Sequence, residues 1–275
     1  MVQKEKRDAS ELFYTFFSLI KPRLIKPPQE SASIIDQWQS HVLPHGSIEE
    51  LAQNLWHVTG IFPAAVVPRE MVLYKLPDST LLIHSAIALN QEGMAQLESL
   101  GTPKIMIVPN RIHRFDASLY KQRYPELLVV CPAAAKEYVE EVVPVDGIAE
   151  EILPTYGIIC HQPSGICPQE LAYELPLPTG KALVFTDILF NLTESYLQQY
   201  PPNNKWILSW LGASGYFGIT ALGKRFFMTD KNAYRHWLEV LADNVQDLQV
   251  ISVAHGEPIT VDCSERLREA AARLL

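Results

Sequence analysis

His84, Asn110 with His113, Asp187 and His255 stand at or just past the ends of four apolar runs, TLLIH, KIMIVPN, ALVFTD and LQVISVAH. Imidazoles and carboxylates ligate divalent ions and carry protons. A buried strand exhausts its apolar register and then opens into a loop, so four such ends can gather these groups at one edge of a sheet. Tens of residues separate them, and no short motif decides between a metal site and structural hydrogen bonding. Gly256 after His255 permits a tight turn or close backbone approach. Asp187 interrupts a run that otherwise favours burial, and a buried carboxylate needs a cation, a metal or several donors. In PNRIHRFD a turn would let Asn110 and His113 face one cavity, with Arg111 and Arg114 either binding an anionic substrate group or facing solvent. His161, in a turn-rich stretch near Ser164 and Gly165, is a further candidate.

The elements that must position these groups alternate along the chain. LWHVTG, EMVLYKLP and TLLIHSA read as three successive strands, the last two joined by the turn formers Pro77, Asp78 and Ser79. Asn90 caps a helix whose stripe is Met94, Leu97 and Leu100, and Gly101 ends it. A strand at 104–108, a helix at 116–124, the strand LLVVC and a helix over AAAKEYVEEV follow. LAYELP and ALVFTDILF bracket Pro178, Thr179 and Gly180 as a hairpin. Residues 191–229 are irregular, as a lid or binding loop is. Asp230 then caps a helix with Tyr234, Trp237, Leu238, Leu241 and Val245 on one face, before the strand LQVISVA and a last helix.

With 275 residues, 48% apolar and 20% charged, the chain has ordinary globular composition. Its net charge of −8 supplies no basic field for a phosphate backbone, which argues against a nucleic-acid partner and leaves a small molecule as the expected ligand. The four cysteines read as reduced thiols. No GxxxxGK[ST], GxGxxG or GxSxG pattern occurs, and Ser214 in GASG has no nucleophile-elbow context. The N-terminal apolar stretch is broken by Glu11, Ser18, Lys21 and Pro22. It falls short of a membrane span, which takes roughly 20 residues, so a cytoplasmic location is expected.

Residues 1–50 read as an N-terminal helical arm and 51–275 as the main domain. Residues 1–28 carry six Lys/Arg against three Asp/Glu, and Leu12, Phe13, Phe16, Phe17 and Ile20 form an apolar stripe. That stripe fits packing on its own domain, contact with the neighbouring subunit of a homodimer, or a peripheral membrane surface, with a disordered arm as the remaining alternative. A short helix at 34–43 follows.

Taken together, LYKLPDSTLLIHSA, IMIVPNRIHRFD, ALVFTDILFN and VISVAHG resemble the landmarks of the metallo-β-lactamase fold superfamily, in the branch called DUF4336, over roughly residues 51–260. The resemblance implies an α/β (α+β) chain folded as an αββα sandwich, two mixed sheets face to face with helices outside and a metal site at one edge. His84 would replace a strand-end aspartate, Asp187 would match the metal-bridging aspartate and His255 the final histidine ligand, with His161 near another ligand position. The defining HxHxDH cluster is degenerate. NRIHRF sets Asn110, Ile112, Arg114 and Phe115 on its four positions, so isoleucine stands where a ligand is needed and arginine where an aspartate orients water.

The expected activity is a mononuclear metal-dependent hydrolase of an ester or phosphodiester. One zinc, iron or manganese ion would be held by His84, His113, Asp187 and His255, with Asn110, His113 and Arg114 in catalytic roles and water activated by the ion as nucleophile. The alternative is a non-catalytic binding or interaction protein that has lost the metal.

Overall fold

The computed structural model describes residues 34–61, 67–201, 212 and 215–275. The arm's apolar stripe and Ser214 lie outside these residues.

The first sheet has seven strands in sequential order: β1 (Glu49–Ala52), β2 (Leu55–Gly60), β3 (Arg69–Lys75), β4 (Leu81–His84), β5 (Pro103–Ile107), β6 (Leu128–Cys131) and β7 (Gly147–Ile148). Its first four form an antiparallel meander, and β4 to β7 pair in parallel. The second sheet contains β8 (Ile159–His161), β9 (Ala172–Leu177), β10 (Gly180–Val184) and β13 (Leu248–Ser252), in the order β13-β10-β9-β8. Its β9–β10 hairpin pairs Leu177 with Gly180, and β10 runs parallel to β13. A small ribbon joins β11 (Phe190–Asn191) to β12 (Phe217–Gly218).

Period-two alternation sorts each strand between two cores. Leu82, Val72, Ile107 and Val130 face the other sheet, where Tyr173, Leu175, Val184 and Val250 meet them. Leu81, Ile83, Met106 and Val129 face outward, under α2 (Gln91–Leu100) and α3 (Ala117–Arg123). Behind the second sheet, Leu183, Phe185 and Ile251 pack on α8 (Lys231–Asn244) and α9 (Cys263–Ala272). The layering is therefore helix, sheet, sheet, helix, as expected. Helix α1 (Ile34–His41) docks through buried Trp38, whose indole N–H donates to the Leu89 carbonyl at 2.8 Å.

Caps agree with the sequence at Asn90, which accepts from Gly93 N at 2.8 Å, and at Asp230, which accepts from Asn232 and Ala233 N. Gly101 ends α2 in extended backbone rather than the left-handed conformation, and its need is space: a Cβ there would lie 2.5 Å from the Ser79 carbonyl oxygen. The helix expected over AAAKEYVEEV is a 3-10 turn at Ala133–Ala135 followed by α4 (Lys136–Glu140), which stops short of Pro144. Between β7 and β8 lies a short α5 (Ala149–Ile152). Residues 191–229 contain α6 (Glu194–Gln199) and α7 (Ala221–Phe226). Val67, Phe190, Leu192, Tyr196 and Leu222 form a small core of their own there.

Candidate metal centre

Parallel pairing brings the ends of β4 and β5 level, with His84 opposite Ile107, and likewise sets Val184 opposite Ser252. The loops after β5, β10 and β13 consequently open at one edge between the sheets. Three side chains converge there: His113, Asp187 and His255 offer ligand atoms that all lie within 4.8 Å of one another. Both His113 Nε2 and His255 Nε2 stand 3.2 Å from the same oxygen, Asp187 Oδ1. His113 is 5% exposed and Asp187 6%.

Each imidazole is fixed from its far side. His255 Nδ1–H donates to the Pro68 carbonyl at 2.7 Å, and Ser85 Oγ lies 2.9 Å from His113 Nδ1. Gly256 turns at φ 112°, where a Cβ would come within 2.1 Å of the Asn191 carbonyl oxygen. Only glycine allows this close approach, which seats the His255 loop on the ribbon. The Phe190 ring covers His255 with centroids 4.7 Å apart.

Asn110 binds the loop together. Its Oδ1 accepts from Ile112 N at 2.8 Å and His113 N at 2.9 Å, while its Nδ2 donates to Asp187 Oδ2 at 2.8 Å and to Glu170 Oε1 at 2.6 Å. Glu170 Oε2 in turn accepts the Asp187 backbone N–H at 2.9 Å. Asp187 therefore has Oδ2 engaged by an amide and Oδ1 turned toward two imidazoles.

The electrostatics call for a cation. Burial, and then the charge of Asp187, push the Glu170 carboxyl well above its ordinary value. Burial works the same way on Asp187, but the imidazoles of His113 and His255 outweigh it and hold that carboxyl far below the carboxylate range. Burial depresses the His113 imidazole, against the pull of Asp187. A carboxylate oxygen only accepts, so each Nε2 facing Asp187 Oδ1 either bears a proton or shares a cation with it. His255 already places a proton on Nδ1 for Pro68, so a second on Nε2 makes it an imidazolium. A divalent ion with two neutral imidazoles would answer the charge of Asp187 in this closed space, beside a Glu170 carboxyl that burial pushes toward its neutral form. The donor set of two imidazoles and one carboxylate oxygen fits zinc, iron or manganese.

Other expected site residues go elsewhere. His84 faces the inter-sheet core, edge-on to Tyr173 at 5.5 Å, with Nε2 3.4 Å from Thr186 Oγ1 and, among the described residues, no hydrogen-bond partner for Nδ1. Burial and the nearby His113 bring its pKa down to about 3, so it is a neutral core group, and its neighbour Ser85 reaches the cluster instead. Arg114 is turned away onto α4. Its Nη1 donates to the Tyr138 carbonyl near the C-terminus of that helix, where a cation is favoured, and to Glu141 Oε2 at 2.7 Å. His161 pairs with Glu174 Oε2 at 2.8 Å, whose other oxygen holds Lys181 Nζ at 2.6 Å. Glu170, absent from the expected site, stands just before Leu171 and the start of β9, which lies level with the end of its antiparallel partner β10; that strand start is the signal available in the sequence.

Comparison with solved structures agrees with this architecture. The chain is similar to DIM-1 metallo-β-lactamase (TM-score 0.57, 9% identity, 84% of this chain and 100% of that one). It is similar also to FIM-1 from Pseudomonas aeruginosa in a mono-zinc form (TM-score 0.55, 11% identity, 85% and 97%). A metallo-β-lactamase from Erythrobacter litoralis aligns at TM-score 0.54 and 13% identity over 82% of this chain and 96% of that one. No family profile and no curated protein matches the sequence. The protein thus has the metallo-β-lactamase fold, with a reduced His/Asp cluster at the edge of the sandwich.

Proposed function

We propose that the protein is a single-metal hydrolase of an ester or phosphodiester. The observation that carries this reading is the convergence of His113 Nε2 and His255 Nε2 on one buried oxygen, Asp187 Oδ1, each at 3.2 Å. These three residues would hold one zinc, iron or manganese ion, which when bound supplies Lewis-acid polarisation of a carbonyl or phosphoryl oxygen. Ser85 and the Pro68 carbonyl set the ring orientations, and Phe190 keeps water from one side of His255. The DUF4336 placement rests on the sequence landmarks. A small-molecule substrate, a cytoplasmic location and an arm that contacts a membrane or a second subunit belong to the same proposal; no described helix is long and apolar enough to cross a membrane.

The burial of His113 and Asp187, with Arg114 engaged by Glu141, favours a second reading: a non-catalytic binding protein on the same scaffold. Metal analysis of the full chain after zinc, iron or manganese supplementation separates them, combined with hydrolysis of p-nitrophenyl acetate and bis-p-nitrophenyl phosphate. The hydrolase reading expects one equivalent of metal, lost in D187A and H255A together with turnover. No stoichiometric metal sinks the hydrolase and selects the binding protein that has lost the metal, while metal without turnover of either compound removes hydrolysis of these two bond types from the reading.

A further inference from the structure

We infer that Glu170 is a positioning residue that dictates how Asp187 addresses the ion, an inference that rests on the single-metal reading above. Glu170 is 3% exposed and contributes no atom to the His113, Asp187, His255 cluster. It grips Asp187 twice: Oε2 accepts the Asp187 backbone N–H, and Oε1 holds the Asn110 amide whose second N–H occupies Asp187 Oδ2. Rotation of the Asp187 carboxylate would break the Asn110 bond, so Oδ1 alone is presented and Oδ2 is withheld from this ion or a neighbouring one. The same amide holds the backbone of Ile112 and His113 through Oδ1. Glu170 thereby registers two ligands that lie 74 residues apart in the chain.

Both Glu170 oxygens accept from N–H groups, which makes the assignment specific to a carboxyl group with its two oxygens. A glutamine has one carbonyl oxygen; its NH2 would meet either the Asn110 amide or the Asp187 N–H, donor against donor. Glutamine therefore preserves volume without preserving the grip.

The test is titration of the full-length metal-free protein with Co(II), followed by visible absorption, for wild type, E170Q and N110A, with circular dichroism as the control for folding. Changing the partners that orient metal ligands costs about ten- to a hundredfold in affinity. E170Q is expected to bind one Co(II) with that loss and an altered ligand-field spectrum, and N110A to reproduce the change. A folded E170Q with wild-type affinity and spectrum overturns the inference and leaves the single-metal reading intact. Wild-type protein that takes up no Co(II) overturns both. If E170Q and N110A do not fold, X-ray absorption of the wild-type Co(II) complex decides: one carboxylate oxygen bound through a single contact supports the inference, and a chelating carboxylate overturns it.

Discussion

Replacing Asp116 by alanine would leave the Arg69 guanidinium inside the protein without its carboxylate. Arg69 is 4% exposed and Asp116 4%. Arg69 Nη2 donates to Asp116 Oδ2, which also accepts the Ala88 backbone N–H at 3.0 Å, and His41 Nδ1 lies 3.4 Å from the other oxygen. Removing one partner of a buried pair costs about 3–5 kcal/mol, because the surviving charge stays desolvated. The bared Ala88 N–H, at about 1–3 kcal/mol, keeps the figure in the upper part of that range. Urea unfolding should report D116A as a fall in midpoint at unchanged slope. The double variant R69M/D116L should lose less than D116A alone, since it removes both charges. Burial would raise the Asp116 carboxyl, but Arg69, His41 and the Ala88 N–H together outweigh it and hold it below its ordinary value of 3.8. Its contribution is accordingly full above that value and is lost as pH falls through the lowered one, so the gap between wild type and D116A should persist through neutral pH and close only in strong acid. A D116A loss below about 1 kcal/mol, the scale of an exposed pair, would refute this reasoning.

H84L should leave metal content unchanged and stability equal or higher, because it removes an imidazole whose Nδ1 has no partner among the described residues in an apolar surround. Loss of metal from a folded H84L would place His84 back among the ligands. Glu70, which accepts from His57, Thr59 and Tyr196, has its carboxyl raised above 4.5 by burial, against the opposing effect of His57. A raised carboxyl favours the folded state most below that ordinary value and progressively less as pH climbs through the folded one. Wild type should therefore lose stability relative to E70Q as pH rises out of the ordinary carboxylate range, measured as urea midpoints. A gap that is constant or widens the other way rejects the assignment.

Strand ends are readable because apolar runs mark them, which is why Asp187, His255 and the β9–β10 hairpin stand out in the sequence alone. Alternation also carries a signal for His84 that its strand-end position conceals. Leu82 faces the second sheet, so His84 two residues later does too. Ser85, at φ 57°, swings instead to His113. The partners of Glu170 and Arg114 lie beyond such local rules. Glu170, just ahead of the start of β9, meets Asn110 across 60 residues, and Arg114 reaches the Tyr138 carbonyl and Glu141, 27 residues on. Long side chains on irregular backbone take their direction from partners that only the folded chain supplies.

The bond from His255 Nδ1 to the Pro68 carbonyl joins positions 187 residues apart. A contact of that separation closes a long loop, so it holds only where the fold has already brought its two ends together. On the single-metal proposal, metal capture would therefore require the folded arrangement of His113, Asp187 and His255. An unfinished or locally opened chain holds these ligands scattered over three distant segments, and an ion that binds the finished arrangement deepens its stability with every increase in free ion concentration.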